Sequence, residues 1–243
     1  MEKVLYAHLT PLEFTARIEK APIAYLPLGT LEWHGAHLPL GSDGLQAQGF
    51  FIELAQKVGG IVLPPLFVGP EKPEHTDENG FYGMDISGYP EGAPRRLPGS
   101  AYYIKTPLFE DMLESILGQL SRAGFKIIVG HGHAPSQNVF KSHAEKWGAR
   151  FGLRLFNCWR DKEDDLGIQT DHAGANETSL MMTFYPELVA MQNLDPDPGV
   201  WPLAVMGNDP RTSASAELGR QAADMQLGRM SGILKKELAL LGM

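Results

Sequence analysis

The chain has very little cysteine. Cys158 stands alone among 243 residues, so no intrachain disulfide can form. That suits a reducing cytoplasm, where the protein is expected to work. Long apolar runs are missing as well. The opening Met-Glu-Lys-Val-Leu-Tyr lacks the apolar core of a signal peptide, and no stretch of about 18 apolar residues is present to span a membrane. Basic charge is scarce: 21 Lys and Arg against 29 Asp and Glu leave a formal charge of −8. A nucleic-acid partner is therefore not expected, because phosphate recognition needs clustered cations. There is no Gly-x-Ser-x-Gly elbow for a serine hydrolase, and no Gly-x-Gly-x-x-Gly after the first strand for a dinucleotide enzyme.

The apolar content is ample, at 43%. A chain this long fits one domain over residues 1–243. Short apolar runs alternate with amphipathic stretches. Pro22-Ile-Ala-Tyr-Leu-Pro27, Ile61-Val-Leu63, Phe125-Lys-Ile-Ile-Val129 and Leu153 to Phe156 read as strands. A helix is expected after Ser42 or Asp43, either of which could cap it, and a second from a capping Thr106 and Pro107 to Gly124. Further helices are expected at Ser136–Arg150, Glu177–Tyr185 and from about Ser215 to Leu241. This rhythm predicts an α/β fold with a mostly parallel sheet covered by helices on both faces. Ligands in such folds gather beyond the carboxyl ends of the strands.

Two of those strand ends carry the chemistry. The first runs into Gly29-Thr-Leu-Glu-Trp-His-Gly-Ala-His-Leu-Pro-Leu-Gly-Ser-Asp43, which crowds Glu32, His34, His37 and Asp43 together. The third runs into Gly130-His-Gly-His133. Imidazole nitrogen mixed with carboxylate oxygen suits borderline divalent ions. Two ions sharing a carboxylate need five or six ligands. Glu32, His34, Asp43, His131 and His133 supply five, and Glu177 is available as a sixth or as a simple helix cap. Asp43, with two oxygens, is the candidate bridge. The two-apart spacings suggest that Glu32 and His131 hold one ion while His34 and His133 hold the other. His37 reads as a support for its loop, His75 as a residue of the loop between 69 and 99, and His143 as a solvated helix residue. A third cluster, Asp171-His-Ala-Gly-Ala-Asn-Glu-Thr-Ser179, offers His172 as the proton-transfer residue with Asp171 to orient it.

These motifs together resemble the creatininase (creatinine amidohydrolase) family. The first signature matches nearly position for position. The second, usually Asn-Gly-His-Gly-Gly-Asn, is Val129-Gly-His-Gly-His-Ala134 here, and the third is His172-Ala-Gly174 with Glu177-Thr-Ser179. Pro98-Gly-Ser100 resembles a further Phe-Pro-Gly-Thr element. The resemblance covers residues from about 22 to 180. It implies a three-layer αβα sandwich and a centre of two divalent ions, zinc or manganese, with iron also compatible. It implies hydrolysis of a small cyclic amide or related C–N bond by a water bridging the ions, often in a homohexamer. Family ligands map onto Glu32, His34, Asp43 and His131, and the catalytic histidine onto His172. In creatininase itself a glutamate takes the position of His133. Other relatives act on formamides, on peptides or on oxidised cyclic polyols. Ring opening of a cyclic ketopolyol or lactone is therefore the rival activity, and a non-catalytic metal-binding protein the rival class. The segment from Gly69 to Gly99 is expected to be a lid or an oligomer-contact arm. Arg95 or Arg96 within it could meet a substrate oxyanion.

Overall fold

In the computed structural model the described residues are 2–71, 97–158 and 167–243. The expectations for residues 72–96, including His75, Arg95 and Arg96, and for the acidic run 161–165 fall outside them.

Four parallel strands form the central sheet: β1 (Ile23–Leu28), β2 (Ile61–Val62), β5 (Ile127–Gly132) and β6 (Arg154–Asn157), in the order β2-β1-β5-β6. A separate two-stranded ladder joins β3 (Gly69–Pro70) to β4 (Tyr103–Ile104). All six residues of β1 are buried, as a central strand covered on both faces must be. Alternate residues point to opposite faces. Ile23, Tyr25, Val62, Ile127 and Val129 join one apolar layer, and Ala24, Leu26, Leu28, Ile61 and Ile128 join another.

The first layer is closed by α2 (Ser42–Val58) and α8 (Ala216–Leu240), through Phe50, Phe51, Leu54, Ala222, Leu227 and Leu234, with α6 (Ala175–Phe184) packed between them. The second is closed by α1 (Pro11–Lys20), α3 (Thr106–Arg122), α4 (Ala134–Ser142) and α5 (Ala144–Phe151), through Phe109, Leu113, Phe140 and Trp147. The short α7 (Pro210–Ser213) leads into α8. The result is the expected three-layer αβα sandwich.

The helix ends show where local sequence decided the structure. Thr10 and Glu13 form a reciprocal capping box at α1, with Pro11 at its first position. Ser215 caps α8 through the Leu218 amide. Two expected caps are corrected. Gly41 holds the cap position of α2, and the Ser42 hydroxyl donates instead to the Pro39 carbonyl. Lys105 holds that of α3, where the Thr106 hydroxyl faces the Glu71 carbonyl. The single helix expected from Ser136 to Arg150 is two, broken at His143, which is half-buried and stacks on Trp147 at 4.6 Å rather than standing in solvent.

What positions a site is the strand order. Successive strands are added in opposite directions from the seam between β1 and β5, and such a switch point opens a crevice at the strands' carboxyl ends. Both histidine-bearing motifs leave the sheet there.

Candidate metal centre

From the end of β1 the chain enters a tight excursion before α2. The Glu32 amide bonds the Leu40 carbonyl across it at 3.0 Å, and Gly29 bonds Leu66 at 2.7 Å. Glu32, His34 and Asp43 consequently turn inward and are buried, at 4%, 0% and 4% exposure. Glu177 arrives from the first turn of α6 and is buried as well.

Asp43 sits where the groups meet. Ligand-type atoms of Glu32, Asp43 and His133 lie within 4.8 Å of one another, as do those of His34, Asp43 and Glu177. His34 Nε2 is 3.5 Å from Asp43 Oδ2 and 3.5 Å from Glu177 Oε2, and it has no hydrogen-bond partner among the described residues. His133 Nε2 is 3.7 Å from Glu32 Oε1. A buried nitrogen facing two carboxylates at more than hydrogen-bond distance leaves space between them for a cation. The donor set, imidazole nitrogen with carboxylate oxygen, fits zinc or manganese.

Each imidazole is aimed by its other nitrogen. His34 Nδ1 faces the Glu32 carbonyl at 3.2 Å, and His133 Nδ1 the Ser136 hydroxyl at 2.8 Å. Such partners fix the tautomer and ring direction of a ligand. Gln169 does the same for the carboxylate: its Nε2 donates to Asp43 Oδ1 at 3.0 Å and lies 3.3 Å from the Asp43 carbonyl. Neither Ser136 nor Gln169 stood out in the sequence. A serine three residues after a histidine and a glutamine in a loop carry no chemical signature alone.

The side chains group differently from the expected pairing of ligands. Glu32 lies with Asp43 and His133, and His34 with Asp43 and Glu177. Period-two reasoning assumed that residues 131 and 133 share one face of a strand. The strand stops between them. Gly132 has φ +136, and His133 is the residue that caps α4. The turn brings His133 Nε2 toward Glu32, and the His131 ring lies edge-on to Phe50 and Phe51 at 6.5 and 6.4 Å. His131 is in none of the clusters found among the described residues.

His172 reaches the same place from the loop before α6. Its ring lies over that of His34, with centroids 4.3 Å apart, and it groups with Glu32 and His34. Its Nε2 donates to the Trp33 carbonyl at 2.8 Å, which leaves Nδ1 as the acceptor of the neutral ring. Asp171 does not orient this ring, contrary to expectation. Its carboxylate accepts from the Asn176 and Glu177 amides at 2.8 and 3.0 Å, so it fixes the start of α6 and thereby Glu177. Glu177 itself accepts from the Ala173 amide at 2.8 Å. It lies in the first turn of α6, whose cap position is held by Gly174, and faces the site as well. His37 supports its loop, bonded to the Thr178 hydroxyl at 2.8 Å.

The charges in this pocket are frustrated without a cation. Burial would push His34 down, but Asp43, Glu177 and Glu32 outweigh it and hold the ring up at about 10. Burial, reinforced by Asp43 and Asp171, pushes Glu177 well above the usual carboxylate range despite His34. Burial and then the charge on His34 push His172 down to about 3, so it stays neutral. Ligation needs a neutral His34. Loading divalent ions near pH 7 is therefore expected to release about one proton or more per chain, and affinity should rise with pH until His34 deprotonates by itself near 10. Titration calorimetry in buffers of different ionisation enthalpy measures this directly, and binding with no proton release would contradict it.

Comparison with known proteins shows the family and the fold. The family model described as Creatininase, creatinine amidohydrolase, matches residues 7–234. A creatinine amidohydrolase of Pseudomonas putida is 24% identical over 230 residues, covering 83% of this chain and 80% of that protein. A 3-dehydro-scyllo-inosose hydrolase of Thermotoga maritima is 22% identical over 199 residues, covering 76% of this chain and 58% of that protein. Among solved structures, a creatinine amidohydrolase superposes with a TM-score of 0.75 at 22% identity, over 98% of both chains. A zinc–zinc form of a mutant creatininase superposes with a TM-score of 0.74 at 21% identity, over 98% of this chain and 99% of that one. A manganese creatininase does so with 0.72 at 22%, over 97% and 98%.

Proposed function

The chain belongs to the creatininase family, and from that premise we propose that it is a hydrolase dependent on two divalent ions, acting on a small cyclic amide or a related C–N bond. The observation that carries the reading is Asp43, shared between two groups of possible ligands. Glu32 and His133 would hold one ion, His34 and Glu177 the other, and Asp43 both. Zinc and manganese forms of similar folds support the choice of ion. When bound, the ions would supply a Lewis acid and a water acidic enough to ionise near neutral pH.

The chain's own groups do the rest. Glu32, Asp43 and Glu177 fix the positions of the ligating oxygens from three separate elements. His172 is half-buried and so reachable from solvent. With its Nε2 proton committed to Trp33, it takes a proton at Nδ1 and returns it to the leaving nitrogen. Ala173, next to it, has φ +53, a conformation that costs a non-glycine residue energy and that clusters at functional sites. The Glu177 carboxylate bonded to its amide holds it there.

His172→Ala is expected to lower kcat by about a hundredfold or more while leaving the ion content unchanged. Steady-state assay beside metal analysis checks both. Intact activity would remove the proton-transfer role, and ion binding with no turnover of any substrate by the unaltered chain would favour a metal-binding protein. The substrate is tested with a panel of cyclic amides, formamides and ketopolyols. The similarity to an inosose hydrolase supports the last group, and turnover of ketopolyols alone would replace C–N hydrolysis by ring opening.

A further inference from the structure

A segment far along the chain returns to the His172 loop and sets one large apolar side chain beside it. The His172 amide donates to the Met206 carbonyl at 3.0 Å, and the Met206 amide to the His172 carbonyl at 2.7 Å. The two residues thus form an antiparallel bridge with both bonds made. Residues paired in this way carry their side chains on the same face, with Cβ atoms about 5 Å apart. The His172 side chain faces His34 and Glu32. Met206 therefore lies on the face that carries the candidate metal centre.

Met206 is 51% exposed, whereas Ala204 and Val205 just before it are fully buried. Val205 joins Leu38, Ala173 and Met181 in a small apolar cluster. Successive side chains of extended backbone point opposite ways, so burying Val205 turns Met206 to the other side. The segment is pinned by the loops of the site. The Gly35 amide donates to the Ala204 carbonyl at 3.0 Å, and the Ala175 amide to the Asn208 carbonyl at 3.0 Å. The Trp201 indole donates to the Val205 carbonyl at 2.9 Å. Ala204 has φ +54, matching the +53 of Ala173 across the bridge. Gly207 has φ +119, and a Cβ there would come within 2.6 Å of the Asp171 Cβ. A lone exposed methionine is ordinary on a protein surface. One fixed opposite the proton-transfer residue by strained and fully bonded backbone is placed there.

We propose that Met206 is a specificity-determining residue, an apolar wall beside His172 that receives a methyl or methylene group at the leaving-group end of the substrate. His172 returns its proton to the leaving nitrogen, so that end of the substrate lies nearest the wall. A thioether has no donor and only a weak acceptor, so a hydroxyl brought against it loses water without gaining a partner. The inference rests on C–N hydrolysis with His172 as proton carrier, and within that reading it favours cyclic amides with an apolar leaving side.

The test uses the full chain loaded with zinc and two probes, hydantoin and 1-methylhydantoin. These cyclic amides differ by one methyl group on the ureide that ring opening frees. The unaltered chain should favour the methylated probe about tenfold in kcat/KM, or in Kd by titration calorimetry where a probe binds without turnover. Met206→Gln, close in size but polar, should abolish the preference with ion content unchanged. Met206→Leu, still apolar, should keep it. Where Met206→Gln fails to fold by circular dichroism, Met206→Ala should abolish the preference instead. A preference intact in the folded polar or truncated variant would overturn the wall, and an altered oligomer size on gel filtration would then assign Met206 to a contact between copies of the chain. An unaltered chain that binds neither probe, or both equally, would overturn the wall alone. Turnover of ketopolyols and of no cyclic amide would overturn the C–N reading and the wall with it.

Discussion

Asp43→Asn is expected to lose the centre as a pair. The substitution keeps shape and volume but removes the one charge common to both ligand groups. A carboxylate can serve two cations with its two oxygens, whereas an amide offers one oxygen and turns two hydrogens toward His34, which lies 3.5 Å away. The Gln169 amide, now donating to Oδ1 at 3.0 Å, would meet either a weaker acceptor or another donor. At least one ion per chain should be lost. Several kcal/mol of transition-state stabilisation go with it, so kcat/KM should fall by about a thousandfold or more. Metal analysis after gel filtration and steady-state kinetics in excess Mn(II) or Zn(II) read the two effects separately. Two retained ions with near-normal turnover would mean that the carboxylate does not join the two halves.

Gly132→Ala is expected to be the most damaging glycine-to-alanine change among the described residues. It lies at the end of β5, opposite Leu28 of β1. A Cβ there would land inside the Leu28 carbonyl, and the residue has φ +136, which side chains rarely adopt. The same carbonyl accepts the His133 amide at 2.7 Å, the bond that sets His133 over the site. Relief of the clash must part the β1–β5 seam at the point where both motifs leave it. Overpacking and backbone strain together should cost about 3 kcal/mol or more, lowering the melting temperature by about 10 °C. Any folded fraction should bind ions poorly. Gly152→Ala is the control. That residue also has positive φ, 64°, but an added Cβ meets nothing within 4 Å, so the change should cost about 1 kcal/mol. Equal losses from the two variants would show that backbone conformation alone, and not the Leu28 contact, governs the seam.

Much of this was legible in the residues themselves. The alternation of apolar runs and amphipathic stretches placed all four strands of the main sheet within a few residues, because burial on both faces demands continuous apolar sequence. The crowding of Glu32, His34 and Asp43 marked a candidate metal site, because buried charges need partners. Local propensity was less dependable. Ser42 and Thr106 are good capping types, yet their hydroxyls bond the Pro39 carbonyl and face the Glu71 carbonyl instead. A side chain takes the partner that tertiary structure brings closest, and composition alone does not rank the options.

The sequence by itself determined the layers, the family resemblance and the kinds of atom available for coordination. Those follow from short-range pattern and from chemistry that each residue carries wherever it lies. Only the tertiary structure decided which donors meet. His131 and His133 are alike on paper, but one positive φ at Gly132 sends the second toward Glu32 and leaves the first among Phe50 and Phe51. Asp171, adjacent to His172 in the chain, serves the backbone of α6, while the Trp33 carbonyl, 139 positions away, accepts the hydrogen bond from His172 Nε2. Adjacency along a chain fixes distance between backbones, but direction in space is set by where the chain turns and what it packs against.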